Sequence, residues 1–438
     1  MEKAKQDGNF RWLVTQVGSR ENYAIPLAFH RLGILRRCFV DIWCRWARGA
    51  LLRGNGVTRA LAGRFHPEIP SNLVVSFDSG AVALKAAHFL GHGSPSARQA
   101  GEQFCRFGGW LAQRVRRCLE QTELDTERDL FFGFNTSCLE TLELLRQRRI
   151  FTVVDQVDPG KIEEDIVLEE AERWPGWTKV HGRMPECYWE RLSREWELAD
   201  LVLVNSQWSA DALVQQGVER KKIIVVPLAI DTGSDAPHDP MNPEGSLRIL
   251  WLGNVILRKG IQYLAEAARR LQKHNVEFTV AGPIGISDRA VRSLPVNMRL
   301  LGRVTRDQLG SLYRQAHLFV LPTISDGFAV TQLEAMARGL PVVTTPNCGR
   351  VVTHGSDGFI VPARNSNALA DALAQLNSNR GLLREMSKNA VVTATRYKPS
   401  TIGRLIHSLT LAHRGGTSGV QNTLRLRTAQ LRGAIASV

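Results

Sequence analysis

The sequence has no apolar run approaching the eighteen or more residues that a membrane span needs, and its start, MEKAKQDGNF, is too polar for a secretory signal. The expected location is the cytoplasm. There is no C-x-x-C pair and no Cys/His spacing that would build a zinc site; the seven cysteines, Cys38, Cys44, Cys105, Cys118, Cys138, Cys187 and Cys348, lie far apart. An odd, scattered set in a chain of 438 residues reads as reduced thiols rather than a disulfide framework. No Asp-x-Asp pair occurs, so a metal held by such a pair is not expected. Acid is also scarce: 42 Asp and Glu against 56 Lys and Arg leave a formal charge of +14. That balance favours anionic partners, whether nucleotide-linked substrates, acidic glycans, membrane surfaces or nucleic acid. Nucleic acid is not expected, because zinc spacing, RNA-recognition aromatics and a compact basic module are all missing.

What is present, at 44% hydrophobic, suffices for two domains with separate cores. Apolar strands without alternation, FRWLVTQV (Phe10 to Val17), NLVVSF, DLFFGF, IFTVVDQ, DLVLVNS and KIIVVPL, recur through residues 1–230 with helical segments between them. Such runs indicate a parallel sheet covered on both faces. Residues 231–246, rich in Pro, Gly, Asp and Ser, read as a linker. The pattern restarts over 247–396 with LRILWLG, VEFTVAG, MRLLG, HLFVLP, PVVTT and FIVP. Residues 397–413 are helical in pattern, and 414–438 form a basic tail with no strong apolar run. The expected fold class is α/β: two Rossmann-like, doubly wound domains with a ligand cleft between the carboxyl ends of their sheets.

Two stretches carry chemistry. In TISDGFAVTQLEAMARGLPVVTT (Thr323 to Thr345) a strand runs into the turn Ser325-Asp326-Gly327, and Val330, Leu333 and Ala337 then recur at helical spacing. Asp326 sits on the lip of a strand-to-helix turn and Glu334 about two turns into the helix. The amides of Gly327, Phe328, Ala329 and Val330, with the positive end of the helix dipole, make an anion site. Taken alone, Asp326 reads more readily as an N-cap and Glu334 as a solvated helix residue. In WLGNVILRKGIQYLAEA, Arg258 and Lys259 stand in a loop at the carboxyl end of a strand, where a diphosphate would lie.

DGF, four further residues and LEAMARGLPVV are similar to the donor-site signature of family 4 retaining glycosyltransferases, which have the two-domain GT-B fold with a last helix crossing back to the first domain. The resemblance covers Leu247 to Pro362 well and is thinner over the first domain. It implies a donor that is a nucleotide diphosphate sugar, no metal and no other cofactor, with Asp326, Glu334 and Lys259 as the catalytic set. Asp326 stands where the family usually has Glu and would bind hydroxyls of the donor sugar, one methylene shorter. Glu334 would bind the ribose, and the amides of Gly327 to Val330 the sugar and phosphate. Lys259-Gly260 matches the family's Lys-Gly, while Asn254, shortly after Gly253, occupies the place of a family arginine that Arg258 would replace. Backbone near Arg303 and Val304 would line the base pocket, Gly282-Pro283 matches another family loop, and Gly18 matches the glycine-rich loop near the donor phosphates. The histidine often found in the first domain is missing, leaving Asp155 and Gln156 as the nearest polar candidates there. The implied partner is a glycan or lipid-linked acceptor. A sugar-nucleotide-binding regulator without turnover and a sugar-nucleotide epimerase of the same fold are the alternatives.

From Arg31 to Arg64 the chain carries eight arginines against one acid, Asp41, interleaved with Leu35, Phe39, Trp43, Trp46, Leu51 and Leu52. Trp110 to Leu119, WLAQRVRRCL, repeats the mixture at helical spacing. Arginine with tryptophan suits an anionic interface, so a peripheral contact with the inner face of a membrane is a second expectation.

Overall fold

A computed structural model describes residues 10–45, 61–89, 96–179, 182–230 and 245–415. Seven parallel strands form the first sheet, in the order β3-β2-β1-β4-β5-β6-β7: β1 (Arg11–Gln16), β2 (Leu35–Val40), β3 (Val74–Ser76), β4 (Asp129–Phe134), β5 (Phe151–Gln156), β6 (Leu201–Val204) and β7 (Ile223–Val225). Both faces are covered, which is why the strands read as continuous apolar runs. Trp12, Val14 and Phe132 pack on Phe29 of helix α1 (Ala24–Arg31), while Leu13 and Phe131 pack on Leu111 and Val115 of helix α2 (Ala97–Glu120).

Strand β2 was hidden in the sequence, because Arg36 and Arg37 interrupt its apolar residues. Arg36 pairs with the buried Asp129 and Arg37 donates to the carbonyl of Asn72. This corrects the expected interfacial surface between Arg31 and Arg64: Leu35, Phe39 and Trp43 are buried, Arg31 pairs with Glu68 at 2.7 Å and Arg64 with Asp41 at 3.0 Å. Trp46, Leu51 and Leu52 lie outside the described residues. In α2, Leu111, Val115 and Leu119 face the core and Trp110 packs on Phe77 and Phe107, which leaves Arg114 and Arg117 on the exposed face. Among the described residues no helix is long and apolar enough to cross a membrane.

Helix α3 (Lys161–Arg173) follows β5 but docks on the second domain. Its Glu170, fully buried, accepts from Tyr263 Oη and Gln262 Nε2 at 3.0 Å each and pairs with Arg364 at 2.6 Å; Trp174 meets the Tyr263 ring edge-on. Helix α4 (Glu186–Leu198) returns to the first sheet, where Glu195 accepts from the amides of Thr136, Cys138 and Leu139.

The second sheet has six parallel strands in the order β10-β9-β8-β11-β12-β13: β8 (Leu247–Leu252), β9 (Val276–Ala281), β10 (Met298–Gly302), β11 (Leu318–Leu321), β12 (Val342–Thr344) and β13 (Gly358–Ile360). Helices α5 (Ile261–Arg270) and α6 (Val330–Ala337) pack on it. Helix α7 (Pro399–Arg414) crosses back: Ile402, Ile406 and Leu409 enter the first domain's core, and His407 Nδ1 accepts from Trp12 Nε1 at 3.2 Å. This crossing lies beside the one at the end of β7, with the amide of Ile230 donating to the carbonyl of Tyr397 at 2.8 Å. Residues 231–244 of the expected linker and 416–438 of the expected tail lie outside the described residues.

Candidate functional site

The carboxyl ends of the two sheets face each other across a cavity of about 570 Å³. Its floor is built where β8 and β9 end. The amide of Gly253 donates to the carbonyl of Ala281 at 3.1 Å and that of Gly282 to Gly302 at 2.8 Å. Gly282 has φ +145°, and a Cβ there would lie 1.7 Å from the Gly253 carbonyl oxygen, so only glycine lets the strand ends close. Arg303 and Val304, just beyond β10, line the same cavity.

After β8, a short helical turn (Leu257–Lys259) sets two cations against the turn that follows β11. The Lys259 ammonium donates to the Asp326 carboxylate. Arg258 Nη1 lies 3.0 Å from Glu163 and 3.8 Å from Asp326, and donates to the Ser325 carbonyl at 3.2 Å. Burial alone would raise the pKa of Asp326; the charges of Lys259 and Arg258, with hydrogen bonds from Lys259 and the Phe328 amide, hold it below the usual carboxylate range. Asp326 is therefore an ionised buried acid and not a helix cap. The cap is Ala329, left-handed at φ +62°, and α6 begins at Val330, which puts Glu334 one turn into the helix instead of two. Ala329, Val330 and Thr331 line the cavity, and the first amides of a helix have no partner within it. Glu334 also lines the cavity and accepts from Tyr313 Oη at 3.0 Å.

Arg258, Lys259, Gly253, Gly282, Arg303, Val304, Asp326, Phe328, Ala329, Val330 and Glu334 thus share one cavity. Gly327 stands beside it: a Cβ there would lie 2.1 Å from the Val157 carbonyl oxygen, so the domains touch backbone to backbone at this residue. Gly18 lies apart from the lining; its amide donates to Asp41 Oδ1 at 2.8 Å and the Arg64 guanidinium packs on its face. Gln156 is tied into the fold, accepting from Trp196 Nε1 at 3.0 Å and donating to Asp158 Oδ1 at 2.9 Å. Asp155 is 2% exposed and its Oδ1 has no hydrogen-bond partner among the described residues.

Glu163 carried no motif and was missed. It comes from α3 of the first domain, accepts from Ser325 Oγ at 2.8 Å, and that hydroxyl accepts in turn from Trp208 Nε1 at 3.0 Å. Burial pushes the Glu163 carboxyl up to about 7, with Arg258 pulling the other way. Arg20 and Glu21, also missed, line the cavity from the first domain.

Two doubly wound parallel sheets with facing carboxyl ends, closed by a returning last helix, define the GT-B fold of glycosyltransferases. Sucrose-phosphate synthase from Thermosynechococcus elongatus shares it with a TM-score of 0.65 at 16% identity, over 93% of this chain and 100% of that one. Anabaena Alr3699/HepE, solved with UDP and glucose, shares it with a TM-score of 0.57 at 15% identity, over 91% and 98%. Residues 246–379 match the family described as glycosyl transferases group 1. WcaL of Escherichia coli (strain K12), whose name assigns it to colanic acid biosynthesis as a glycosyltransferase, is 30% identical over 191 residues, 40% of this chain and 47% of the relative. D-inositol 3-phosphate glycosyltransferase of Pseudarthrobacter chlorophenolicus is 26% identical over 216 residues, 45% and 51%. The chain spans about half the length of the curated relatives it matches.

Proposed function

We propose that the chain is a retaining glycosyltransferase that moves a sugar from a nucleoside diphosphate donor to a glycan or lipid-linked acceptor without a metal. The observation that carries this reading is the meeting of Lys259, Arg258, Asp326, Glu334 and the start of α6 in one interdomain cavity. Breaking the bond between sugar and diphosphate develops negative charge on the leaving group. Fixed cations and helix amides aimed at that charge stabilise it without the Lewis acid that other transferases use. The leaving phosphate can itself accept the proton of the incoming hydroxyl, so the reading requires no enzymic base. HepE, which has the same fold, was solved with UDP-glucose, and this supports a donor of that class here.

Glu334 would hold the ribose hydroxyls, Arg303 and Val304 the base, and Asp326 the donor sugar. The exposed arginines of α2 support contact with an anionic membrane surface, and WcaL's name supports a role in polysaccharide biosynthesis. The alternative of a binder without turnover draws on one observation: both cations already hold carboxylates, Lys259 that of Asp326 and Arg258 that of Glu163. Incubating the purified chain with a panel of nucleotide sugars separates the two. Slow release of free sugar from one donor is expected; tight binding of a donor with none hydrolysed would sink the transferase.

A further inference from the structure

Two thiols meet where the chain returns from α3 to the first domain. Pro185 is the N-cap of α4 and Cys187 lies in its first turn, while Cys105 lies on α2, 82 positions earlier. Their Sγ atoms are 3.9 Å apart. Gly101, Cys105 and Gly108 recur at helical spacing, so they share one face of α2. A Cβ on Gly101 would lie 2.3 Å from Pro185 Cδ and 3.0 Å from Met184 Sδ, and one on Gly108 would lie 1.9 Å from the Thr136 carbonyl oxygen. Bare backbone on either side of Cys105 is what lets the start of α4 come this close.

The thiols mark a joint between the domains. Before it, the Ser287 amide donates to the Trp177 carbonyl at 2.7 Å and Lys179 pairs with Asp288 at 3.0 Å, both contacts with the second domain. At it, the Met184 amide donates to Glu164 Oε1 of α3 at 2.5 Å and Arg183 pairs with Asp165 at 2.7 Å. After it, Arg191 donates to the Thr136 carbonyl at 2.7 Å and pairs with Glu140 at 2.6 Å, which fixes α4 to the turn at the carboxyl end of β4. Cys187 is exposed and Cys105 half-buried, so a reagent in solution reaches Cys187 first. Burial and the neighbouring Cys187 push the Cys105 thiol up to about 11, with Arg191 pulling the other way.

We propose that Cys105 and Cys187 are a site of reversible oxidation, with a low-molecular-weight disulfide as the oxidant, and that the bond formed rivets the first turn of α4 to α2. The Cys187 thiolate attacks one sulfur of the small disulfide, whose S–S bond breaks and releases one small thiolate, leaving a mixed disulfide on Cys187. Cys105, its proton lost to solvent, attacks Cys187 Sγ and expels the second small thiolate. The chain gives up two protons and two electrons, the small disulfide becomes two thiols, and nothing else is consumed. The sulfurs must close to about 2.05 Å, a shift of about 2 Å that is within reach of side-chain rotation at the exposed Cys187. Neither cysteine lines the interdomain cavity, so the site stands or falls apart from the transferase reading.

The test is incubation of the full chain, first reduced and freed of reductant, with oxidised glutathione, followed by digestion without reduction and mass spectrometry. One linked peptide pair is expected, joining Cys105 to Cys187, with no glutathione retained on either. The bond closes a long loop, so the midpoint of thermal unfolding should rise by roughly 5 °C or more and return on adding reduced glutathione. Amide exchange over 182–190 should slow by roughly tenfold in the oxidised chain, the reading that separates a rivet from a bond of no consequence. Cys105→Ser should stop at glutathione held on Cys187, and Cys187→Ser should form no link. Glutathione retained on Cys187 of the parent without the linked pair overturns the proposal. So does a linked pair whose formation lowers the midpoint or leaves exchange over 182–190 unchanged. If either variant fails to fold, the parent's peptide map and its exchange rates decide.

Discussion

Arg258 of the second domain and Glu163 of the first face each other at 3.0 Å across the cleft, so the guanidinium assigned to the donor's diphosphate is already held by a carboxylate from the opposite domain. The hydroxyl of Ser325 bonds to the same carboxylate and takes a hydrogen bond from Trp208. Any anion entering between Lys259 and Arg258 competes with Glu163.

The competition depends on pH. Glu163, with a carboxyl at about 7, is neutral on the acid side and ionised on the basic side, where it draws Arg258 away from a ligand. Nucleoside diphosphate affinity should therefore fall as pH rises through about 7, and Glu163→Gln should remove that fall. Calorimetry of parent and variant across this range, compared at each pH so that the nucleotide's own ionisation cancels, checks it. A variant with the parent's slope would remove Glu163 from the site. The same shift acts on folding: a carboxyl raised from 4.5 to about 7 contributes stability fully present below 4.5 and lost as pH rises through about 7.

Lys259→Ala should lower both nucleotide affinity and turnover, since one charge-assisted bond to a partly buried diphosphate is worth about 1.5–3 kcal/mol. Turnover within about twofold of the parent would remove the lysine from the mechanism.

The two acids of the second domain should separate by assay. Glu334→Gln keeps its shape but weakens charge-assisted bonds to the ribose, so affinity for the bare nucleotide should fall by roughly tenfold. Asp326→Asn removes the partner of Lys259 and leaves that cation free, so nucleotide affinity should hold or rise while turnover of the full donor drops. Asp326→Glu should be tolerated or change which sugar is used. Kinetics with the full donor and calorimetry with the nucleotide, run on all three variants, decide between these outcomes.

Activity should survive excess EDTA, because Lys259, Arg258 and the α6 amides supply the counter-charge in the proposed reaction. Loss of turnover with EDTA, restored by Mg²⁺ or Mn²⁺, would contradict the proposed mechanism.

Gly282→Ala should destabilise the second domain by about 1–3 kcal/mol, since its methyl would collide with the Gly253 carbonyl in a backbone region that alanine avoids. Denaturant melting of the variant measures this; an unchanged midpoint would mean that the β8 and β9 ends can part without cost.

The second domain was legible because its chemistry is local: Asp326, Glu334 and Lys259 sit in short stretches whose spacing alone sets them at strand ends and a helix start. The strand Leu35–Val40 was not, because Arg36 and Arg37 mimic a polar segment until Asp129 is known to lie beside the first of them. Glu163 and Glu170 were invisible for a related reason: what makes them important is contact with residues more than ninety positions away, and nothing near them in the chain announces it. The left-handed run at Glu21, Asn22 and Tyr23 contains no glycine, the one residue that would have marked such a turn.

The hydrogen bond between the amide of Ile230 and the carbonyl of Tyr397 ties together two of the places where the chain passes between lobes. Helix α3 makes two more, leaving the first sheet after β5 and coming back at α4, with Glu170 bonded to Tyr263, Gln262 and Arg364 of the second domain in between. Any movement of the second lobe therefore either carries α3 with it or breaks the bonds of a buried carboxylate.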